Sequence, residues 1–175
     1  ILDLGCGYGF LCYMLHFMSK DRLITGVDYD EDKIETANHC YSKSDQVQFV
    51  CADITSYPVA VSDVIILNDV LHYLEPNQQL ALLEQSITAL NPGGRLIVRE
   101  GNSDLKKRHQ GTRLTEFMSV KLFKFNRSAH DLHFMSAETV KQLADKYDME
   151  TEVIDDSKLT SNIIIVLKKK QTEYA

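Results

Sequence analysis

The sequence predicts an α/β fold, a Rossmann-like, doubly wound sheet of seven strands that ends in an antiparallel hairpin. Short apolar runs alternate with segments of helical period along the 175 residues, as expected for a parallel sheet with crossover helices. The last two apolar runs are joined by residues 155–161, which are too few for a crossover helix, so these two strands should pair antiparallel. The length predicts one domain covering residues 1–175.

The predicted strands are short, apolar and rich in β-branched residues. In chain order they are Ile1 to Leu4, Leu23 to Val27, Val47 to Cys51, Asp63 to Leu67, Arg95 to Arg99, Glu150 to Ile154 and Asn162 to Leu167.

The predicted helices lie between these strands and show apolar residues at helical spacing or an N-terminal cap. They are Phe10 to Met18, Glu31 to Tyr41 with Asp30 as its cap, a helix after Glu75-Pro76-Asn77 with Leu80, Leu83, Ile87 and Leu90 on one face that Asn91-Pro92-Gly93-Gly94 stops, and Ala137 to Tyr147.

The most informative motif follows the first strand, where glycine occupies every second position in Gly5-Cys6-Gly7-Tyr8-Gly9. Glycines at such a strand end allow the backbone to approach a ligand closely or to adopt a positive φ. A dinucleotide fingerprint needs Gly-x-Gly-x-x-Gly, but the residue at the third glycine position is Phe10. The loop therefore predicts a nucleotide-sized ligand and argues against NAD.

This loop, with Asp3 two residues before its first glycine, resembles the first motif of class I S-adenosylmethionine-dependent methyltransferases of the small-molecule type. The order of elements and the terminal hairpin are also similar to that fold over essentially the whole chain. The resemblance implies S-adenosylmethionine as cofactor and S-adenosylhomocysteine as product. It also implies that Asp3 faces the methionine ammonium and that the loop lies along the methionine and ribose. The implied cofactor-binding residues of this segment are Asp3, Gly5, Cys6, Gly7 and Gly9.

The other predicted cofactor residues follow the next strands, since ligands of such sheets bind beyond the carboxyl ends of the strands. The resemblance implies that Asp28 accepts both ribose hydroxyls; Tyr29 either stacks on the adenine or packs on the protein. Asp53 resembles the acid that receives the adenine amino group, with the Ile54 backbone reading the ring edge, and helix capping is the alternative for Asp53. The carbonyl region of Asn68 would lie beside the methionine part.

The acceptor side is predicted from residues beyond the fourth and fifth strands. His72 is the candidate general base, because a neutral hydroxyl benefits from a base of near-neutral pKa, and a hydrogen-bonded structural role is the alternative. Further acceptor-side candidates are Tyr73, Glu100, His130 and His133. No third ligand accompanies the two histidines of His130-Asp131-Leu132-His133, so we expect no metal.

Residues 101–135 form a long insertion between the fifth strand and its helix. Connections of this length are usually functional or carry helices of their own. We predict a mainly helical cap over the acceptor site, from about Leu105 to Lys124. The aromatic side chains of the insertion either line an apolar acceptor pocket or attach the cap to the sheet.

Composition restricts the partners and the compartment. Nineteen basic and 25 acidic residues give a net charge of -6, which argues against nucleic-acid or membrane partners that need a basic face. Four cysteines without a Cys-x-x-Cys pair indicate reduced thiols and the cytoplasm, and no apolar stretch is long enough to span a bilayer. The oligomeric state stays open.

The predicted function is methyl transfer from S-adenosylmethionine to a small organic acceptor by in-line displacement, at oxygen in preference to nitrogen. A non-catalytic cofactor-binding or regulatory module of a larger protein is the alternative from a different class. An NAD-linked oxidoreductase is disfavoured by Phe10 and by the terminal hairpin. Because the first strand begins at residue 1, whereas this family usually has helices upstream, we expect the domain to be part of a longer chain.

Overall fold

A computed structural model describes residues 1–102, 132–155 and 162–171. In these ranges the strands are β1 (Leu2–Leu4), β2 (Ile24–Asp28), β3 (Val47–Cys51), β4 (Ser62–Asn68), β5 (Leu90–Gly101), β6 (Glu150–Ile154) and β7 (Asn162–Lys168). The helices are α1 (Phe10–Met18), α2 (Glu31–Asn38), α3 (Pro76–Thr88) and α4 (Ala137–Lys146), with a 3-10 turn at Leu71–Tyr73.

The seven strands form one sheet in the order β3-β2-β1-β4-β5-β7-β6. Strands β1 to β5 are parallel to one another, whereas β7 runs antiparallel to both of its neighbours, β5 and β6. The predicted seven-stranded α/β fold with a terminal antiparallel hairpin is therefore confirmed. The chain leaves β1 in one direction towards β2 and β3 and returns to its other side at β4. Ligands of open α/β sheets bind at such a reversal of strand order.

The centre of the sheet is apolar, which explains why these segments form buried parallel strands. Leu4 lies between Val27 on β2 and Leu67 on β4, and all three side chains are completely inaccessible to solvent. Removing each such side chain from water contributes about 1.5–3 kcal/mol. Helices α1 and α2 pack on β2 and β3, α3 packs on β5, and α4 packs on β6.

Most predicted boundaries differ from the observed ones by few residues, but the prediction for Leu90 was wrong. Leu90 begins β5 and pairs with Ser62, although its spacing placed it on the face of α3. The register then shifts before Arg95 pairs with Val64, so that Asn91 to Gly94 form an irregularity within the strand. The helical spacing of the apolar residues extends by chance to Leu90, which is the first residue of strand β5.

The predicted helix from Leu105 to Lys124 lies outside the described residues, as does most of the 101–135 insertion. Among the helices placed within residues 1–102, 132–155 and 162–171, none combines the length and the apolar character needed to cross a membrane.

Two of the three glycines in the loop between β1 and α1, Gly7 and Gly9, have different surroundings. Gly9 has a φ of 72° as the N-cap of α1, and a Cβ there would collide with the ring of Phe49. Gly7 has a φ of 54°, but a Cβ there would have no other atom within 4 Å. Gly9 is therefore required by internal packing, whereas the space beside Gly7 is open.

We expect Gly9→Ala to destabilise the fold more than Gly7→Ala does. Both variants place an L-residue at positive φ, at a cost of about 1–2 kcal/mol. Only the Gly9 variant adds overpacking against Phe49, for about 1–3 kcal/mol more. Urea denaturation of the two variants and the parent measures the difference. Equal losses would mean that Phe49 moves aside freely.

Candidate active site

A cleft opens at the carboxyl ends of β1, β2 and β4, at the reversal of strand order. It holds about 640 Å³ of space without protein atoms, counting the part that is open to solvent. The residues that line it come from the ends of four strands, β1 to β4, and from the segments that follow them: Gly5, Gly7, Asp28, Tyr29, Lys33, Asp53, Ile54, Asp69, Val70, Tyr73 and Leu74. Seven of these were predicted as site residues; Lys33, Asp69, Val70 and Leu74 were not.

The glycine loop is held to the end of β2 by three backbone groups. Val27 O accepts hydrogen bonds from the N–H groups of Gly5 at 2.7 Å and Cys6 at 3.0 Å. The N–H of Gly7 donates to Asp28 Oδ2 at 2.9 Å. Asp28 is buried and its other oxygen, Oδ1, accepts from the N–H of Asp30 at 3.0 Å. The Asp28 carboxylate therefore fixes the loop and the start of α2 at the same time.

Asp3, predicted to face a ligand, lies beneath the loop and does not line the cleft. It is only 2% exposed, and its Oδ2 accepts a hydrogen bond from the Cys12 thiol at 3.2 Å. Burial raises the pKa of the Asp3 carboxyl to about 6; the Cys12 hydrogen bond opposes this shift and the charge of Asp28 adds to it. A hydrogen bond with Cys6 and burial raise the pKa of the Cys12 thiol, so that it stays protonated and donates.

Two other predicted loop residues also support the cleft without lining it. Cys6 is half-buried, and its sulfur packs against the backbone of Gly26. A Cβ added to Gly26 would lie only 2.8 Å from Cys6 Sγ. Gly9 is buried under Phe49, as described above. The remaining two loop glycines, Gly5 and Gly7, form the wall of the cleft.

The opposite end of the cleft is formed by residues that follow β2 and β3. Tyr29 is half exposed, Asp53 is exposed and Ile54 is buried. Asp53 Oδ1 accepts hydrogen bonds from both the N–H and the hydroxyl of Thr55 at 2.8 Å, so the carboxylate stabilises its own turn. Both interpretations of Asp53 are compatible with this geometry, since the turn uses Oδ1 and the carboxylate still borders the cleft.

The end of β4 contributes Asp69, the residue after the predicted Asn68, to the lining of the cleft. Asn68 is half-buried and does not line the cleft, whereas Asp69 lines it and has a φ of 53°. Asp69 forms an ion pair with Arg99 on β5. Val70, the next residue, packs directly on Gly5. A left-handed aspartate cannot be recognised from sequence, because aspartate commonly adopts ordinary φ values too.

His72 and Glu100 form a buried pair behind the cleft. His72 is 1% exposed, and its Nδ1 donates to Glu100 Oε2 at 2.7 Å. Glu100 Oε1 accepts from the N–H of Leu71 at 3.0 Å, so the carboxylate fixes the turn as well as the ring. Tyr73 lies against the His72 ring with a centroid distance of 4.1 Å and lines the cleft. The geometry of a base with an orienting carboxylate is that of many proton-transfer sites.

His133, a predicted acceptor-side residue near the end of the insertion, binds the same turn. Its N–H donates to His72 O at 2.9 Å. The buried Gln79 amide donates to three carbonyls, those of Leu71, Leu74 and His133. His130 lies outside the described residues. In the part of the chain that is described, no group of three or more His, Cys, Asp or Glu side chains could hold a metal ion.

The comparisons with known sequences identify a family. A family model described as a methyltransferase domain matches residues 1–160. A carboxy-S-adenosyl-L-methionine synthase of a Geobacter species is 34% identical over 104 residues, which are 56% of this chain and 43% of that protein. A protein of the same name from Vibrio cholerae is 33% identical over 105 residues, 57% of this chain and 43% of the relative. The chain thus spans less than half the length of these curated relatives.

Solved structures show the same fold at low sequence identity. An O-methyltransferase family protein from Burkholderia thailandensis has a TM-score of 0.77 at 16% identity, over 98% of this chain and 51% of that one. The N-methyltransferase NodS from Bradyrhizobium japonicum, in complex with S-adenosyl-L-homocysteine, has a TM-score of 0.68 at 18% identity, over 96% of this chain and 76% of that one. Together with the matched family model, the seven-stranded topology confirms the family that the glycine motif predicted: this chain belongs to the class I methyltransferases.

Proposed function

We propose that this domain transfers a methyl group from S-adenosylmethionine to the oxygen of a small organic acceptor. The observation that carries the proposal is the cleft at the reversal of strand order, where a glycine loop anchored by Asp28 faces open space. Gly7 has the positive φ that favours glycine, and the volume that its missing side chain leaves is available to a ligand. The family of the chain supports the same reaction class.

The charges of the cleft fit this cofactor. The described lining residues include three carboxylates, Asp28, Asp53 and Asp69, and one lysine, Lys33. S-adenosylmethionine carries an ammonium and a sulfonium and has no phosphate. A cleft rich in carboxylates attracts such a ligand, whereas it would repel the pyrophosphate of a dinucleotide.

We assign the parts of the cofactor to parts of the cleft. Asp28 accepts the ribose hydroxyls, since its two oxygens each accept one backbone N–H and a carboxylate can accept about four hydrogen bonds. Tyr29, Asp53 and Ile54 receive the adenine. The methionine part lies along the glycine loop, above the buried Asp3.

Bound S-adenosylmethionine supplies a methyl group on a positively charged sulfur, which a positioned nucleophile can displace directly. The protein therefore has to orient the acceptor, exclude water and, for a neutral hydroxyl, remove a proton. Tyr73 and Leu74 form the wall of the cleft on the side of the His72 turn. We place the acceptor on that side.

His72 is our candidate for the base; because its ring is only 1% exposed and does not line the cleft, this role requires the turn Leu71–Tyr73 to shift when the acceptor binds. Its Nδ1–H is held by the Glu100 carboxylate, so Nε2 is the nitrogen that can accept a proton. The carboxylate orients the ring and stabilises the imidazolium that forms, as in other histidine bases with an acidic partner. A histidine with this support favours hydroxyl acceptors, because an amine that arrives neutral can attack without a base.

Two other candidate functions predict different reaction products. The sequence identity to proteins named carboxy-S-adenosyl-L-methionine synthase supports formation of a carboxylated cofactor as the second candidate. A non-catalytic module would bind S-adenosylhomocysteine and transfer nothing.

The test combines calorimetric binding of S-adenosylmethionine, S-adenosylhomocysteine and NAD with mass spectrometry of reaction products from a panel of small phenols, carboxylic acids and amines. Binding of the two adenosyl-sulfur ligands and a product heavier by one methyl group at oxygen supports the proposal. A carboxylated nucleoside product would support the second candidate. Binding of NAD alone would overturn the proposal and both alternatives.

Asp28→Asn should weaken binding of 5′-methylthioadenosine by about 1–3 kcal/mol, because a charge-assisted acceptor for the ribose is lost. The same variant also perturbs the hydrogen bond from Gly7. Calorimetry with the 2′,3′-dideoxy analogue separates the two effects, since a ribose contact predicts that the penalty disappears with this ligand. A penalty that persists would assign Asp28 to the loop alone.

Asp3 should make the stability of the fold depend on pH. The folded protein holds the Asp3 proton up to a pKa of about 6, and the unfolded chain releases it near 3.8. The wild type should therefore lose about 3 kcal/mol relative to Asp3→Asn as the pH rises from about 4 to above 6. Urea denaturation across this range measures the difference, with the exposed Asp45→Asn as the control for lost charge. Parallel pH profiles of wild type and Asp3→Asn would contradict the raised pKa.

His72→Gln should lower kcat by roughly 100- to 10,000-fold with a hydroxyl acceptor, the usual contribution of a general base. Glu100→Gln should give a smaller loss, because His72 keeps its ring but loses its orienting charge. His39→Gln, at the exposed residue that directly follows α2, is the matched control. Affinity for S-adenosylhomocysteine reports whether the buried substitutions leave the cleft intact. Full kcat in His72→Gln would leave this residue a structural role.

A further inference from the structure

The turn that carries His72 is fixed by side chains from two other elements. On its amide side, Glu100 of β5 accepts the N–H of Leu71 at 3.0 Å. On its carbonyl side, the amide nitrogen of Gln79, in the first turn of α3, donates to Leu71 O at 2.9 Å and to Leu74 O at 3.0 Å. Because His72 lies between the residues that these bonds hold, the position of its ring depends on Gln79 as well as on Glu100.

Gln79 also connects this turn to the chain at His133. The same nitrogen donates to His133 O at 2.6 Å, and the His133 N–H donates to His72 O at 2.9 Å. The next residue, Phe134, stacks on the His72 imidazole with a centroid distance of 5.2 Å and an angle of 17° between the ring planes. The His72 ring is therefore positioned by a carboxylate, by an aromatic ring and by the backbone that Gln79 holds.

The surroundings of Gln79 require an amide. The side chain is only 2% exposed, on a helix whose other buried residues are mostly apolar. Three carbonyl oxygens surround a nitrogen that has two protons, so two of the carbonyls share one proton. An apolar side chain would leave these carbonyls without this donor, and a glutamate would place an oxygen against them. Since a buried polar group is costly, packing alone would favour an apolar residue here.

The role of His72 as base links these contacts to the reaction. Its ring does not line the cleft, so the turn has to shift when the acceptor binds. Such a shift either breaks the hydrogen bonds of Gln79 or moves residues 71–74 and 133–134 together. Leaving buried carbonyls without a donor is unfavourable, which favours the joint movement.

We infer that Gln79 is a positioning residue for proton transfer: it holds the His72 turn to the chain at His133, so that the base meets the acceptor in one orientation. This inference rests on the proposed function, since it concerns the base that we assign to the same reaction. Gln79 does not line the cleft and acts through His72.

The experiment measures kcat with S-adenosylmethionine and the most active phenol of the acceptor panel, and calorimetric affinity for S-adenosylhomocysteine. The variants are Gln79→Met, Gln79→Asn, His72→Gln and the double variants that combine His72→Gln with each change at Gln79. Methionine has about the length of glutamine without its donor, whereas asparagine keeps the donor on a shorter side chain. Gln79→Asn also carries the test if Gln79→Met does not fold. Gln85→Met is the matched control, because Gln85 is exposed on the same helix.

Gln79→Met should lower kcat roughly 10- to 100-fold, the loss expected when a catalytic group is displaced by about 1 Å. Gln79→Asn should lose less, and Gln85→Met should stay within about twofold of the wild type. In the His72→Gln background neither change at Gln79 should cause a further loss, because the base through which Gln79 acts is absent. Affinity for S-adenosylhomocysteine should stay within about twofold throughout, since Gln79 does not line the cleft.

A packing role predicts the opposite order, with Gln79→Asn more damaging than Gln79→Met because it leaves a void, and the same loss with or without His72. Either of these results, an unchanged kcat in the Gln79 variants, or a parallel loss of affinity for S-adenosylhomocysteine would overturn the inference and leave the proposed function standing. A wild type that methylates no phenol, or full kcat in His72→Gln, would overturn the inference together with the assignment of the base. A wild type that transfers no methyl group to oxygen would overturn the proposed function as a whole.

Discussion

The rest of the cleft depends on the hydrogen bonds that the Asp28 carboxylate accepts. It is buried at the end of β2, and its two oxygens accept N–H groups from Gly7 on one side and Asp30 on the other. A single side chain thus determines where the glycine loop leaves β1 and where α2 begins. The cleft forms between these two elements, so its shape depends on the two hydrogen bonds that Asp28 accepts within the fold.

The position of the cleft follows in turn from the strand order. β1 lies at the centre of the sheet with β2 on one side and β4 on the other, so the chain segments that leave these strands diverge. The glycine loop, the turn after β2 and the 3-10 turn after β4 therefore meet around one space. Residues that are distant in sequence, such as Gly7 and Asp69, therefore line the same cleft.

The fold and the part of the cleft that follows β2 and β3 were predictable because they depend on local patterns. Apolar periodicity defined the strands, and residues after strand ends, such as Asp28 and Asp53, could be identified by position. Asp69 could not, because its place in the cleft lining follows from a left-handed backbone and from its contacts with Arg99, which is thirty residues further along the chain. The burial of Asp3 also escaped prediction, since the motif gives the residue type but not the packing of Cys12 above it.

The two ends of the insertion are pinned close to each other. The Asn102 side chain accepts a hydrogen bond from the N–H of Ala137 at 3.1 Å, and His133 is tied to the His72 turn through its own N–H and through Gln79. Once the ends of a connection are fixed in this way, each doubling of its length costs only about 0.6 kcal/mol of loop-closure entropy. This segment can therefore be lengthened, shortened or exchanged at little thermodynamic cost without disturbing the hydrogen bonds that shape the cleft.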